Sequence, residues 1–261
     1  MGPAAILAAA NLPPTYMSNA TVQPGSTPAA KNVIARFIGI ITAPRATFES
    51  VVASPKWLGM LVLTTLIAAA GSSLPLTTDG GREALLEQQV RAMEGFGMQV
   101  NDEMYAQLRK RSAIAPYTTA GSILVMSPIV AAVLAGILFG IFNAAMGGNA
   151  TFKQVYAVVV HAGAIQALGQ LFTSPFNYFR ESMTSATSLS VLLPMLPDGS
   201  FAARLAGMVD LFLIWWVVAL AIGLGVLFRR RTQPIAISLF GVYAVIALCA
   251  AAIMSRFGGT H

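Results

Sequence analysis

The chain has 261 residues, 56% of them hydrophobic and only 10% charged, whereas soluble domains carry about 25% charged residues. A single cysteine, Cys249, excludes an intrachain disulfide framework and a cysteine-based metal site. The formal charge of +6 comes without a basic stripe interleaved with aromatics, so nucleic acid is not the expected partner, and the composition is that of an all-α polytopic membrane protein in contact with lipid.

Residues 1–32, rich in Pro, Ala, Thr and Asn, read as a flexible tail. The opening MGPAAILAAA has no Lys or Arg ahead of its apolar run and makes a poor secretory signal. From Val33 to Ala53, Ile34, Phe37, Ile38 and Ile41 share one helical face, while Arg36, Arg45 and Glu49 make the segment too polar to span. An amphipathic helix lying in the interface and bent at Pro44 is the expectation.

The first span is expected at 57–76, opened by Trp57 at an interface and weakened beyond Gly71. Residues 82–111 change character, with Leu86, Val90 and Met93 and then Met104, Tyr105 and Leu108 at helical spacing around Gly95 and Gly97. That pattern predicts two short amphipathic helices outside the bilayer.

The second span, 117–146, contains Pro128 and a ladder of small residues, Ala132, Gly136, Gly140 and Ala144. Steps of four place these residues on one narrow face, a surface on which helix backbones approach closely in lipid. A tight turn at Gly147–Asn149 leads into the third span, 151–172. A connection at 173–204 follows, with Pro175, Pro194 and Pro197 and an apolar patch, SVLLPML, suited to the interface.

The fourth span, 205–228, is 24 residues of nearly unbroken apolar sequence ending at Arg229, Arg230 and Arg231. Such a triplet anchors topology and attracts anionic headgroups, at about 1 kcal/mol per charge near the surface. The fifth span is expected at 234–257, before a short tail at 258–261. Five spans put the termini on opposite sides. With the N-terminus inside, the inner segments hold Lys31, Arg36, Arg45, Lys56, Lys153 and the Arg229–Arg231 triplet against one acid, Glu49, while the outer charges cancel. On Lys and Arg alone the two sides are equal at eight each, so the short Arg229–Arg231 loop carries the orientation.

Asp210 and His161 are the ionisable residues inside these spans. Intramembrane carboxylates seek partners on other helices or in water. Counted from the outer ends, His161 lies about 9 Å deeper than Asp210, and Gln166 lies at the level of Asp210. Two roles are open: a proton or ion path through Asp210, Gln166 and His161, or a structural lock in which Asp210 bonds Gln166 or a backbone group. Trp215 and Trp216 sit mid-span and read as packing residues. No zinc-protease, nucleophile-elbow, P-loop or dinucleotide motif occurs, so neither catalytic residues nor a cofactor or metal is expected.

Three stretches together resemble bacterial members of the Yip family, the membrane proteins named for interaction with Ypt/Rab GTPases. These are IITAPRATFESVVASPKWLGMLVL with Pro44, Phe48 and Pro55, GGNATFKQVYAVVVHAGAI, and DLFLIWWVVALAIGLG, in this order between Val33 and Phe257. The resemblance implies five membrane helices, a cytoplasmic N-terminus and no catalytic chemistry. The Asp-Leu-Tyr-Gly-Pro type motif of eukaryotic relatives, which bind small GTPases, is missing here. The expectation is a non-enzymatic scaffold or accessory subunit of a membrane transport, trafficking or envelope system in the bacterial inner membrane, working with a membrane-protein partner or a second copy. A small transporter or channel, or a lipid-handling protein with the 82–111 helices as a lid, are the rivals.

Overall fold

The computed structural model describes residues 32–181, 185–197 and 200–257, so the expected tails, Asn32 apart, lie outside the described residues. Those residues form helices and short connections with no strand; one isolated antiparallel bridge joins Ser188 to Asp210.

The entry segment is two helices rather than one bent helix, α1 (Val33–Thr42) and α2 (Pro44–Ala53), parted at Ala43. Pro44 occupies the first turn of α2, where its missing N–H costs nothing, and it forbids α1 from continuing. Ile34 and Ile38 face outward, whereas Arg36 is buried and donates from one guanidinium nitrogen to Ser54 O at 3.3 Å, tying α1 to the end of α2.

The helix α3 (Leu58–Ser73) continues into a 3-10 turn, Pro75–Thr77. Outside it stand α4 (Asp79–Gly95), capped by the Thr78 side chain, and α5 (Asp102–Ser112), capped by Asn101. The helix α6 (Ala115–Phe139) contains Pro128 and passes into a π-helical turn, Gly140–Ala145. The turn after it is held by the Asn143 side chain, which donates to Ala150 O and accepts from Ala150 N, and by a capping box between Thr151 and Gln154.

The third apolar stretch forms α7 (Phe152–Ala162) and α8 (Ala164–Arg180), interrupted at Gly163. It outruns the expected end at Phe172 by eight residues, because Pro175 lies within α8 instead of ending it. Just before that proline, Thr173 Oγ1 donates to Gly169 O within α8, and Ser174 Oγ donates across to Gly71 O of α3 at 2.8 Å, tying the helix to α3.

The fourth stretch departs most from expectation. After a short α9 (Leu189–Leu192) comes α10 (Phe201–Met208), and the chain is then extended at Val209 and Asp210 before α11 (Leu211–Leu227) begins. Asp210 is the N-cap of α11, not a residue inside a continuous 205–228 helix. Aspartate competes with the helix for backbone donors, which favours a cap over an interior place. The last helix, α12 (Thr232–Phe257), packs on α11 and α10.

Among the described residues, four helical stretches are long and apolar enough to cross a membrane: Leu58–Thr77, Ala115–Ala145, Phe152–Arg180 and Thr232–Met254. At 17 residues, α11 is shorter, yet it lies at the centre, against α2, α7, α8 and α12. A helix that is apolar all round is one surrounded by others. Its Leu220 joins Phe48 of α2 and Val158 of α7 in the core, and Gly223 lets the helices close: a Cβ there would stand 2.6 Å from Val158 and 2.8 Å from Phe48. Two groups of loops gather at opposite ends of α11. Near Phe228, Gln154 Nε2 donates to Val52 O and Arg230 donates to Met146 O, while Phe142 stacks on Phe228. Near Asp210 stand Pro75 and the 185–189 segment.

Candidate functional site: a polar cleft beside Asp210

The residues with the most chemistry converge where α3, α8 and the start of α11 meet. On α8, Gln166, Gln170, Thr173 and Asn177 recur at helical spacing and form a polar stripe on an otherwise apolar helix. Gln170 Nε2 donates to Ser72 Oγ at 2.8 Å, fixing the stripe against α3. Gly169 admits Phe212 of α11 so closely that a Cβ would lie 2.8 Å from the ring, which sets the distance between α8 and the cap of α11.

Asp210 closes the cleft. One carboxylate oxygen accepts from the N–H groups of Phe212 and Leu213, at 2.8 and 3.3 Å. The other accepts from the hydroxyls of Ser185 and Thr187, at 2.7 and 2.5 Å. Main-chain bonds from Leu189 N to Val209 O and from Leu211 N to Thr187 O hold the hydroxyl-bearing segment in place. Tyr243 of α12 donates to Met208 O, satisfying a carbonyl left by the end of α10. The result is a cleft of about 330 Å³, lined by Ser72, Gln166, Gln170, Thr173, Asn177, Ser185, Thr187, Asp210 and Phe212 among others. Among the lining residues Asp210 has the one formal charge.

Of the three residues expected to act together, two share this cleft and one does not. Gln166 lines it but makes no hydrogen bond to Asp210, whose partners are the two backbone donors and the two hydroxyls. His161 lies elsewhere, fully buried on α7, with Nδ1–H donating to Ala157 O at 2.7 Å and Arg36 within electrostatic reach. Its Nε2 and the Nε of Arg36 are buried with no partner among the described residues. The expected packing ladder divides: Ala132 packs against the core, whereas a Cβ on Gly136 or Gly140 would meet nothing within 4 Å, and Ala144 is exposed. In the arginine triplet, Arg229 takes a positive φ of 53° and Arg230 reaches Met146 O. Trp215 and Trp216 pack against the core.

Ser185, Thr187, Gln170, Thr173 and Asn177 were not among the expected site residues. The α8 set carried a readable signal, four polar side chains at steps of four, three and four in QALGQLFTSPFN. The hydroxyls of SATS carried none, because their role depends on a contact 23 and 25 residues away. No group of three or more His, Cys, Asp or Glu side chains stands together among the described residues.

Comparison with known proteins adds the family. A membrane protein of Bacillus subtilis (strain 168), YknW, is 28% identical over 229 residues, covering 84% of this chain and 91% of its own length. No solved structure matches. A family model for the Yip1 domain matches residues 38–254, which include the second half of α1, all of α2, the apolar bundle and the whole cleft, and the chain is therefore a multi-pass membrane protein belonging to the Yip1 domain family.

Proposed function

We propose that this protein is a non-enzymatic scaffold or accessory subunit of a membrane transport, trafficking or envelope system in the bacterial inner membrane. It engages a neighbouring membrane protein, or a second copy, through the outer surfaces of α6 and α12. One observation carries the reading: only 11% of the apolar window of each of these helices is buried within the chain, against 67% for α7 and α8 together. Notches at Gly136, Gly140 and Gly241 open on that surface with nothing within 4 Å. In lipid, association between helices depends on close backbone approach and packing, which such notches permit.

The proposed topology has five crossings, with α11 as the fourth and the N-terminus inside. Its support is that the loops near 52–56, 147–151 and 228–231 adjoin one another at the end where Lys56, Lys153 and the arginine triplet lie. The helix α11 is about 25 Å long at the helical rise, short of a 30 Å core. The entry helices α1 and α2 then lie in the interface, with Ile34 and Ile38 toward lipid. In vivo cross-linking followed by affinity purification in mild detergent tests the scaffold role. Recovery of a discrete membrane-protein complex or a dimer is expected; a monomer recovered alone would contradict it. The lipid-handling reading has its own observation, the cleft beside Asp210.

A further inference from the structure

We propose that the cleft beside Asp210 binds a primary ammonium group, and that its source is the headgroup of an aminophospholipid such as phosphatidylethanolamine. This inference stands apart from the scaffold reading, because it uses α8 and the cap of α11 and leaves the surfaces of α6 and α12 untouched.

The charge comes first. No Lys or Arg among the described residues forms an ion pair with Asp210. Four hydrogen bonds and the N-terminal end of α11 keep this half-buried carboxylate charged, and no cationic side chain of the described residues stands against it. The chemistry of the walls then narrows the cation. Amide and hydroxyl oxygens of Gln166, Thr173 and Asn177 face a group that must donate in several directions, and a primary ammonium has three N–H donors. Among the described residues, no protein hydrogen bond engages the side-chain amide of Gln166 or Asn177, so both are open to a ligand. A quaternary ammonium is recognised by aromatic faces, and Phe212 is the single aromatic on the lining. A divalent metal would want several carboxylates, where the cleft has one. At about 330 Å³ the space suits a small organic group better than one ion.

Position supplies the source. From Gln166 to Asn177 the polar stripe runs about 16 Å along α8, roughly half of a hydrocarbon core. Beside it Leu171, Phe172 and Phe176 are about half exposed, and the ring of Phe172 lies 6.0 Å from that of Phe212. A polar slot bordered by apolar side chains that face lipid has the layout of a lipid, headgroup within and acyl chains alongside.

The test reconstitutes the full chain in nanodiscs of equal parts phosphatidylethanolamine, phosphatidylcholine and phosphatidylglycerol, and counts retained lipids by native mass spectrometry. Wild type is expected to retain phosphatidylethanolamine about fivefold over phosphatidylcholine, whose quaternary ammonium has the same charge but no N–H to donate, about the net worth of one hydrogen bond. Asp210→Asn keeps an N-cap residue but removes the charge, and retention should fall to the ratio of the bulk lipid. Gln166→Leu, at an exposed position, should lower retention with the charge in place and serves if Asp210→Asn fails to fold. A parallel arm adds soluble ethylammonium. Charge-dependent thermal stabilisation by ethylammonium without lipid enrichment would keep the ammonium site and move its source to solution. Equal retention of all three lipids with no ethylammonium effect, or a preference that survives both substitutions, would overturn the proposal.

Discussion

Asp210 illustrates how one residue changes meaning with its backbone. Within a continuous apolar helix its carboxylate would be a buried charge in search of a partner; as the cap of α11 it satisfies two of the N–H groups that every helix start leaves free. Asp210→Ala should therefore lower stability by about 1–2 kcal/mol, while Asp210→Asn should cost much less, as read by thermal unfolding in detergent. His161 gives the opposite expectation. Its Nε2 is buried unpaired, so His161→Leu exchanges one bond to Ala157 for relief of that desolvation and should leave the unfolding temperature nearly unchanged. A residue that carried protons for a transport cycle would instead abolish pH-dependent flux when replaced. Gly223→Ala places a methyl 2.6 Å from Val158 and should destabilise by about 1–3 kcal/mol, seen in the same melt. None of these three environments was legible from residue type. Each depends on what a distant segment brings to it, as Arg36 does in passing from a polar interruption of an apolar face to a buried tie between α1 and Ser54.

At the scale of elements, continuous hydropathy was the readable quantity. The apolar stretches of α3, α6 and α12 were evident from length and composition, and so was the break between two helices at Gly95 and Gly97, where Gly97 takes a φ of 79°. Helix ends were read less well, because proline and aspartate act through local backbone geometry that hydropathy does not carry. Pro44 divides two helices, Pro175 is absorbed within one, and Asp210 begins another. The backbones differ: α8 continues through Pro175, with Thr173 and Ser174 bonded to Gly169 O and Gly71 O, whereas Ala43 leaves the helical region before Pro44. Half of the cleft could have been found from the α8 stripe; the other half required knowing that SATS folds back on Asp210. In the π-helical turn that follows α6, Gly140→Ala adds a Cβ with no neighbour within 4 Å in the chain, so the unfolding temperature should hold while any cross-link through that face weakens. An equal loss of both would mean that the face serves the fold of the chain itself.

Taken whole, the molecule arranges its charges and its polar cleft at opposite ends of α11. Arg230 bonds Met146 at one end, and Asp210 gathers Ser185 and Thr187 at the other. The proposed five-crossing topology and the proposed headgroup slot both require that α11 cross the bilayer, so that the arginine loop and the cleft face different compartments. Paired topology reporters measure this most directly. Fusions within the turn at Gly148 and after Arg231 should report the cytoplasm, and fusions at Thr78 and at the carboxyl end should report the opposite side. A fusion after Arg231 that reports the compartment of Thr78 instead of that of Gly148 would contradict the crossing of α11, and the placement of Asp210 with it.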